Sequence, residues 1–283
     1  MSHRVLAIDI GGTKVDCAWV SVDGEIVPVG RIDTPAVGHQ LFDAILKLAH
    51  SVAWRADDIV GVGCGGPMSK GGESVSPLNI PHWRNFALRE ELERALHRPV
   101  AIDNDAKALA LAEGRFGSAQ GLSNYVAMVV STGVGGGIVL DGRLLDGERG
   151  NAGHIGHIVV NPEGAPCGCG VRGCLEAEAS GTAIARQIGA AATEADESVR
   201  RRTGQMVGRA VAATASLLDV TEFFIAGSVA LGFGETFFAA ANEEAKRLVG
   251  LDFARPVRIA PSGLSSRGPI LGAACVAWRS LEP

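Results

Sequence analysis

"RVLAIDIGGTKVDCAWVSVDGEIVPVGRI" (Arg4–Ile32) decides how the chain is read. It falls into three β-rich runs, "RVLAIDI", "KVDCAWVSV" and "EIVPVGRI", separated by "GGT" and by Asp23-Gly24. Asp-Gly between such runs is a strong hairpin signal, so the stretch predicts strand, turn, strand, turn, strand. The same layout returns over Tyr125–Leu145 as "YVAMVVS", "TGVGG", "GIVL", "DG", "RLL". Between the copies, "LFDAILKLAHSVAW" (41–54) and "FALREELERALH" (86–97) carry helical periodicity, and "IVGVGCG" (59–65) and "PVAIDN" (99–104) read as strands. After the second copy come an Ala-rich helical region over 181–218, a strand "EFFIAG" (222–227), more helix, and a closing "PILGAACVAW" (269–278). The fold class is α/β, with two related lobes. A Gly and Ser cluster in "FGSAQGLSN" (116–124) marks the boundary. The expectation is a smaller α/β lobe over 1–118, completed by about 270–283, and a larger lobe over 119–269.

Composition narrows the function. Of 283 residues, 47% are hydrophobic, enough for a sizeable core, and the formal net charge is −5. A nucleic-acid binder needs a cationic face, so that class is disfavoured. "MSHRVLAIDI" has no signal-peptide pattern, and no run approaches the roughly 20 apolar residues of a membrane span. A cytoplasmic protein with no membrane partner is expected. Six cysteines are too sparse for a disulfide scaffold; Cys17, Cys64 and Cys275 lie among apolar residues and read as core.

Gly11 and Gly12 allow a tight turn with exposed amides, and Thr13 adds a hydroxyl, so "DIGGTK" suits phosphate oxygens. Thr132 and Gly133, with Gly135 and Gly136, repeat that chemistry. A P-loop or dinucleotide fingerprint would open a helix, whereas each of these turns feeds a strand. Each turn alone is equally an ordinary hairpin; the duplication, with Asp9 ending the first strand, favours a nucleotide clamp. Asp9 suits Mg²⁺ held through water, since hard cations on phosphates take carboxylate and water oxygens.

With these motifs in hand the chain resembles the ROK family of sugar kinases and repressors, within the actin-like and hexokinase-like ATPase fold. The resemblance rests on "DIGGTK", "IDNDAKALALAE", "STGVGGG", "AGHIGH" and "CGCGVRGCLEAEASG", in that order, and runs almost to the C-terminus. It implies ATP-dependent phosphorylation of a sugar, usually at the 6-hydroxyl, in a cleft between lobes. The nucleotide side would be Asp9, Gly11, Gly12, Thr13, Lys14, Thr132, Gly133 and Gly227, the last in "FFIAGSVALGFG". Self-association as a homodimer or homotetramer is common among relatives. Polyphosphate stays open as the donor in place of ATP.

Phosphoryl transfer needs an aligned hydroxyl, a group to accept its proton, and charge neutralisation. Asp105 follows a strand and precedes a helix; from the residues alone it is equally a base or a helix cap, and the "NDA" match favours the base. Asn104 can donate to and accept from a sugar hydroxyl, while Asp103 is given no role. "GCGGPM" (63–68) and "PLNIPHW" (77–83) look like sugar walls, with Gly66 and Asn79 as contacts and Trp83 as a flat wall or a core residue.

His157, Cys167, Cys169 and Cys174 give H-x9-C-x-C-x4-C, a closed set for a structural Zn²⁺. Gly168, Gly170 and Gly173 supply the turns, and the metal would offset the entropy of ordering this loop. The resemblance implies that His157 also lies beside the sugar and that Glu176 reaches its hydroxyls, although an acid also suits a helix N-terminus. Glucose-directed members resemble "AGEIGH", with Glu where this chain has His154. That departure, with "AGSVALG" (226–232), is similar to N-acetylmannosamine kinases; glucokinase is the alternative. A sugar-responsive repressor is disfavoured because only eight residues precede Asp9, too few for a helix-turn-helix module.

Overall fold

A computed structural model describes residues 4–34 and 38–282. In chain order the first elements are β1 (Val5–Ile10), β2 (Lys14–Val20), β3 (Ile26–Asp33), α1 (Gly38–His50), β4 (Ile59–Cys64), α2 (Leu88–Leu96), β5 (Val100–Asn104) and α3 (Asp105–Phe116). There follow β6 (Tyr125–Val130), β7 (Val134–Leu140), β8 (Arg143–Leu144), α4 (Leu175–Ala179), α5 (Gly181–Ile188) and α6 (Glu197–Leu218). The last are β9 (Glu222–Ala226), α7 (Ser228–Leu248), β10 (Arg258–Pro261) and α8 (Gly268–Arg279).

Two compact units result. One comprises the described residues through Ala112, Asp146–Ala152 and the segment from Ser266 onward; the other comprises Glu113–Leu145 and Gly153–Ser265. The first holds a five-stranded sheet ordered β3-β2-β1-β4-β5, in which β1, β4 and β5 are parallel and the β1–β2–β3 hairpins antiparallel. The second holds β8-β7-β6-β9-β10, with the same pattern: β6, β9 and β10 parallel, β6–β7–β8 antiparallel. The duplication read from the two hairpin stretches is therefore present in strand order and polarity.

Apolar alternation explains each core. In the first unit Leu6, Ile8, Val60, Val62, Leu88 and Leu92 are fully or almost fully buried between the sheet and its helices. α8 packs there with small residues: an ideal Cβ on Gly61 would lie 2.0 Å from the Ala273 carbonyl oxygen, so backbone meets helix directly. In the second unit Met128, Phe223, Ile225, Val207, Val211 and Phe237 form the corresponding core.

Several element ends differ from the sequence reading, each for a local reason. The first helix stops at His50; Trp54 leaves it, donates its indole N–H to the Ala49 carbonyl at 3.0 Å, and packs edge-on to Trp19. Phe86 pairs with Val75 in an isolated bridge and His97 takes a left-handed cap, which trims α2 at both ends. The region 181–218 is two helices: Gly189 ends α5 in the left-handed region, and Asp196 caps α6 through the Val199 amide. β10, missed in the sequence, is a four-residue edge strand without apolar alternation.

Candidate active site

In the first unit β1, β4 and β5 end side by side, and open parallel sheets collect their ligands at such carboxyl ends. Asp9 pairs in register with Gly63 of β4. A Cβ on Gly63 would lie 3.7 Å from Asp9 Oδ1 and 3.8 Å from the Asp105 Cα, so two carboxylate-bearing residues flank a position that carries no side chain. Burial, then the negative charges of Asp105 and Asp16, push the Asp9 carboxyl up to about 7, with Lys14 opposing. The Gly11 amide donates to the Lys14 carbonyl at 2.9 Å, and Thr34 closes the turn by donating Oγ1 to the Gly11 carbonyl at 2.8 Å. Thr13 is exposed on this turn, and its carbonyl accepts from the Thr34 amide. Lys14 Nζ is engaged by Asp16 at 3.0 Å.

The helix-cap alternative for Asp105 is resolved by its neighbour. Asn104 Oδ1 accepts from the amides of Ala106 (3.1 Å) and Lys107 (3.4 Å), which is the capping position. Asp105 is the first residue of α3, with Oδ1 accepting from the adjacent Ala106 amide at 2.8 Å. The capping oxygen is thus spent, and the amide Nδ2 is what Asn104 has to give a hydroxyl.

Asn79 is exposed and stands over the first Gly turn: a Cβ on Gly12 would come within 2.5 Å of its Cβ. Gly66 accepts from the Leu78 amide at 3.2 Å, joining the two stretches read as sugar walls. Trp83 does not belong to a wall. It is 3% exposed and stacks on Phe86 at 4.8 Å, which makes it core.

In the second unit the other Gly turn meets two helix N-termini. The Ser131 carbonyl accepts from the Gly181 amide at 2.7 Å at the start of α5, and the exposed Thr132 offers its carbonyl to Thr182 Oγ1 at 3.0 Å. Ser131 Oγ lies 3.0 Å from Ser228 Oγ at the start of α7. Gly227, just before α7, has φ 104°, and a Cβ there would sit 2.3 Å from the Val130 carbonyl oxygen. Glu176, in the first turn of α4, accepts from the Val134 amide through Oε2 at 3.0 Å, and a Cβ on Gly133 would come within 2.9 Å of the same oxygen. Sequence reading gave Glu176 to the sugar or to a helix N-terminus, and it does lie in the first turn of α4; its contact with the Gly turn was not legible there.

His154 and His157 lie one helical turn apart with nearly parallel rings, 6.1 Å between centroids. His157 Nδ1 is 3.7 Å from Cys167 Sγ, and Cys169 Sγ is 3.6 Å from Cys174 Sγ. The four ligand atoms all lie within 4.8 Å of one another. Tetrahedral zinc with thiolates at about 2.3 Å needs ligand separations of about 3.8 Å, so the donor set fits that ion. Bonds from Cys167 to the Val171 carbonyl (2.7 Å) and from Gly173 to the Ala165 carbonyl (2.8 Å) fold the loop, and Gly173 has φ 72° with a Cβ position 1.6 Å from the Asn161 carbonyl oxygen.

Two groups escaped the sequence reading. Buried Glu178 accepts from the Ala165 amide at 2.7 Å and pairs with Arg202, bracing the cysteine loop from behind. Asp103, given no role, bonds buried Lys107 at 2.8 Å. The signal for the second was Lys107 itself, a lone cation in the apolar run "AKALALA" spaced four residues from an acid.

Among the described residues no helix is long and apolar enough to cross a membrane. The chain is 36% identical over 267 residues to a glucokinase of Halalkalibacterium halodurans, covering 88% of this chain and 81% of that one. It is equally 36% identical, over 249 residues, to an N-acetylmannosamine kinase of Haemophilus influenzae, covering 82% of each. A ROK family glucokinase from Streptomyces griseus, solved with glucose and AMPPNP, superposes with TM-score 0.86 at 28% identity, covering 98% of this chain and 99% of that one. The mixed α/β fold with two sheets is that of ROK hexokinases. The ROK family model matches residues 5–280, and the chain belongs to that family.

Proposed function

We propose that the chain is an ATP-dependent sugar kinase that phosphorylates the 6-hydroxyl of a hexose or N-acylhexosamine, N-acetylmannosamine foremost. The observation that carries this reading is the pair Asp9 and Asp105 flanking Gly63 at the ends of parallel strands, beside the Gly11–Gly12 turn. Asp105 accepts the proton of the attacking hydroxyl, and Asn104 donates Nδ2 to an adjacent hydroxyl. General-base catalysis of this kind is worth about 10²- to 10⁴-fold. Asp9 is the carboxylate that would hold Mg²⁺ through water; magnesium, when bound with ATP, neutralises phosphate charge. Gly11, Gly12, Thr13 and Lys14, with Thr132, Gly133 and Gly227, present backbone amides, hydroxyls and one ammonium to the nucleotide.

His157, Cys167, Cys169 and Cys174 would hold structural zinc, which fixes the loop when bound. Ligation through Nδ1 leaves His157 Nε2 to meet a sugar hydroxyl, and Glu176, Gly66 and Asn79 supply further contacts. His154 favours N-acetylmannosamine: an imidazole N–H can donate to an acyl carbonyl, which a carboxylate at that position cannot. Glucose is the second reading, supported by the equal identity to a glucokinase.

ADP release measured over N-acetylmannosamine, glucose, mannose and N-acetylglucosamine tests the reading, with polyphosphate run as an alternative donor. A kcat/KM for N-acetylmannosamine at least about tenfold above glucose, a 1.4 kcal/mol preference, is expected. The reverse order would pass the assignment to glucose, and no turnover on any sugar would refute the kinase.

A further inference from the structure

Four charged side chains in the first unit surround the base of α3. Lys107 is 2% exposed. Its Nζ pairs with Asp103 Oδ1 at 2.8 Å and donates to Asp146 Oδ1 at 2.8 Å and to the Gly150 carbonyl oxygen at 3.3 Å. Arg279, in the last turn of α8, donates to both Asp146 oxygens at 3.2 and 2.6 Å and to Asp103 Oδ2 at 3.3 Å. Asp103 Oδ1 also accepts from the Asn104 amide at 2.8 Å. The residues two before and two after Asp105 are therefore tied to each other across it, and both are anchored to the Asp146–Ala152 segment and α8.

We infer that Lys107, with Asp103, Asp146 and Arg279, forms a positioning network that holds the Asn104–Asp105 step in a fixed geometry. The inference rests on the reading of Asp105 as the base. A buried ion cluster is a poor device for stability alone, because well-packed apolar side chains often do as well. Its use here is directional. The first turn of a helix lacks four intrahelical partners and frays, and this network ties that turn down on either side of the residue whose carboxylate must meet a hydroxyl. Misplacement of a reacting group by about 1 Å costs on the order of 100-fold in rate.

A cavity of about 310 Å³ beside the network, lined in part by Met68, Val100, Ile102 and Val276, leaves room for a larger cationic head at position 107. The test uses the full-length protein and compares Lys107→Met, Lys107→Arg and Asp58→Asn. Asp58 pairs with Arg4 in the same unit and serves as a stability control remote from the network. Lys107→Met, folded by circular dichroism, is expected to lose about 10- to 100-fold in kcat with the sugar KM changed less than about threefold. Lys107→Arg is expected to restore most of that loss. Asp58→Asn should lower the melting temperature while keeping kcat, which separates positioning from mere stability.

A folded Lys107→Met with wild-type kcat overturns the network, as does a loss of kcat equal to that of Asp58→Asn at matched melting temperature. Should Lys107→Met fail to fold, Asp146→Asn takes its place, with a several-fold kcat loss expected and wild-type kcat overturning the inference. Asp105→Asn run alongside distinguishes the two layers. Near-normal turnover there refutes the base, whereas its loss together with an intact kcat in Lys107→Met refutes only the network.

Discussion

Asp9 and Asp105 differ in what their surroundings ask of them. Asp9 is pushed up to about 7 by burial and by the charges of Asp105 and Asp16. Its folded value exceeds the unfolded value of about 4, so its contribution to stability is full below pH 4 and lost as pH rises through 7. Melting curves of the metal-free protein should therefore lose stability over that window, and Asp9→Asn should remove this component; an unchanged slope would show that Asp9 is not the group responsible. With Asp9 in its proposed role of holding magnesium-nucleotide, binding would displace the same proton, so Kd should weaken about tenfold per pH unit below 7 and level off above it, as calorimetry would read. For Asp105 the residues alone left base and cap equally open, and only the family resemblance of "NDA" favoured the base. The structure gives capping to Asn104, a distinction between adjacent polar residues that spacing alone does not make.

At the scale of elements, the cysteine loop, α4 and the second Gly turn form one connected piece. Cys174 is followed two residues later by Glu176, whose carboxylate accepts from the Val134 amide in that turn. Cys169→Ser or zinc chelation should therefore weaken nucleotide binding as well as sugar binding, each by several-fold or more; sugar and nucleotide affinities unchanged in verified metal-free protein would break the connection. Gly227→Ala, at φ 104° against the Val130 carbonyl, should cost about 1–3 kcal/mol of stability, read by denaturant unfolding. The hairpins were legible because turn chemistry imposes fixed sequence intervals, and the H-x9-C-x-C-x4-C spacing marked four side chains that the fold brings together. The break at Gly189 carried its own signs, a helix-ending Gly and a capping Asp196, yet they were submerged in Ala-rich helical composition. β10 and the ends of α2 depend on which edge or bridge the chain finds, and that is tertiary information.

Across the whole molecule, the antiparallel half of each sheet was written in Arg4–Ile32 and Tyr125–Leu145, while β4, β5 and β9 were legible in their own apolar runs and β10 was not. The charge networks were not, since Asp146 and Arg279 lie far apart in sequence and meet only on folding. Burial alone would raise Asp58, Asp146 and Glu178, but hydrogen bonds from Arg4, from Arg279 and Lys107, and from the Ala165 amide and Arg202 outweigh it and hold all three low. Their stabilisation is full above the unfolded value of about 4 and lost as pH falls below it, so the melting temperature should drop steeply there. Asp58→Asn should flatten that fall, and an identical acid limb would assign it to other groups. The central claim is transfer of phosphate to a sugar hydroxyl with Asp105 as base, and ³¹P NMR of sugar and ATP incubated with wild-type and Asp105→Asn protein tests it most directly. The account predicts a sugar 6-phosphate resonance from the wild type and, with sugar binding retained, product formation slower by about 10²- to 10⁴-fold in the variant. Comparable product from both proteins would contradict it.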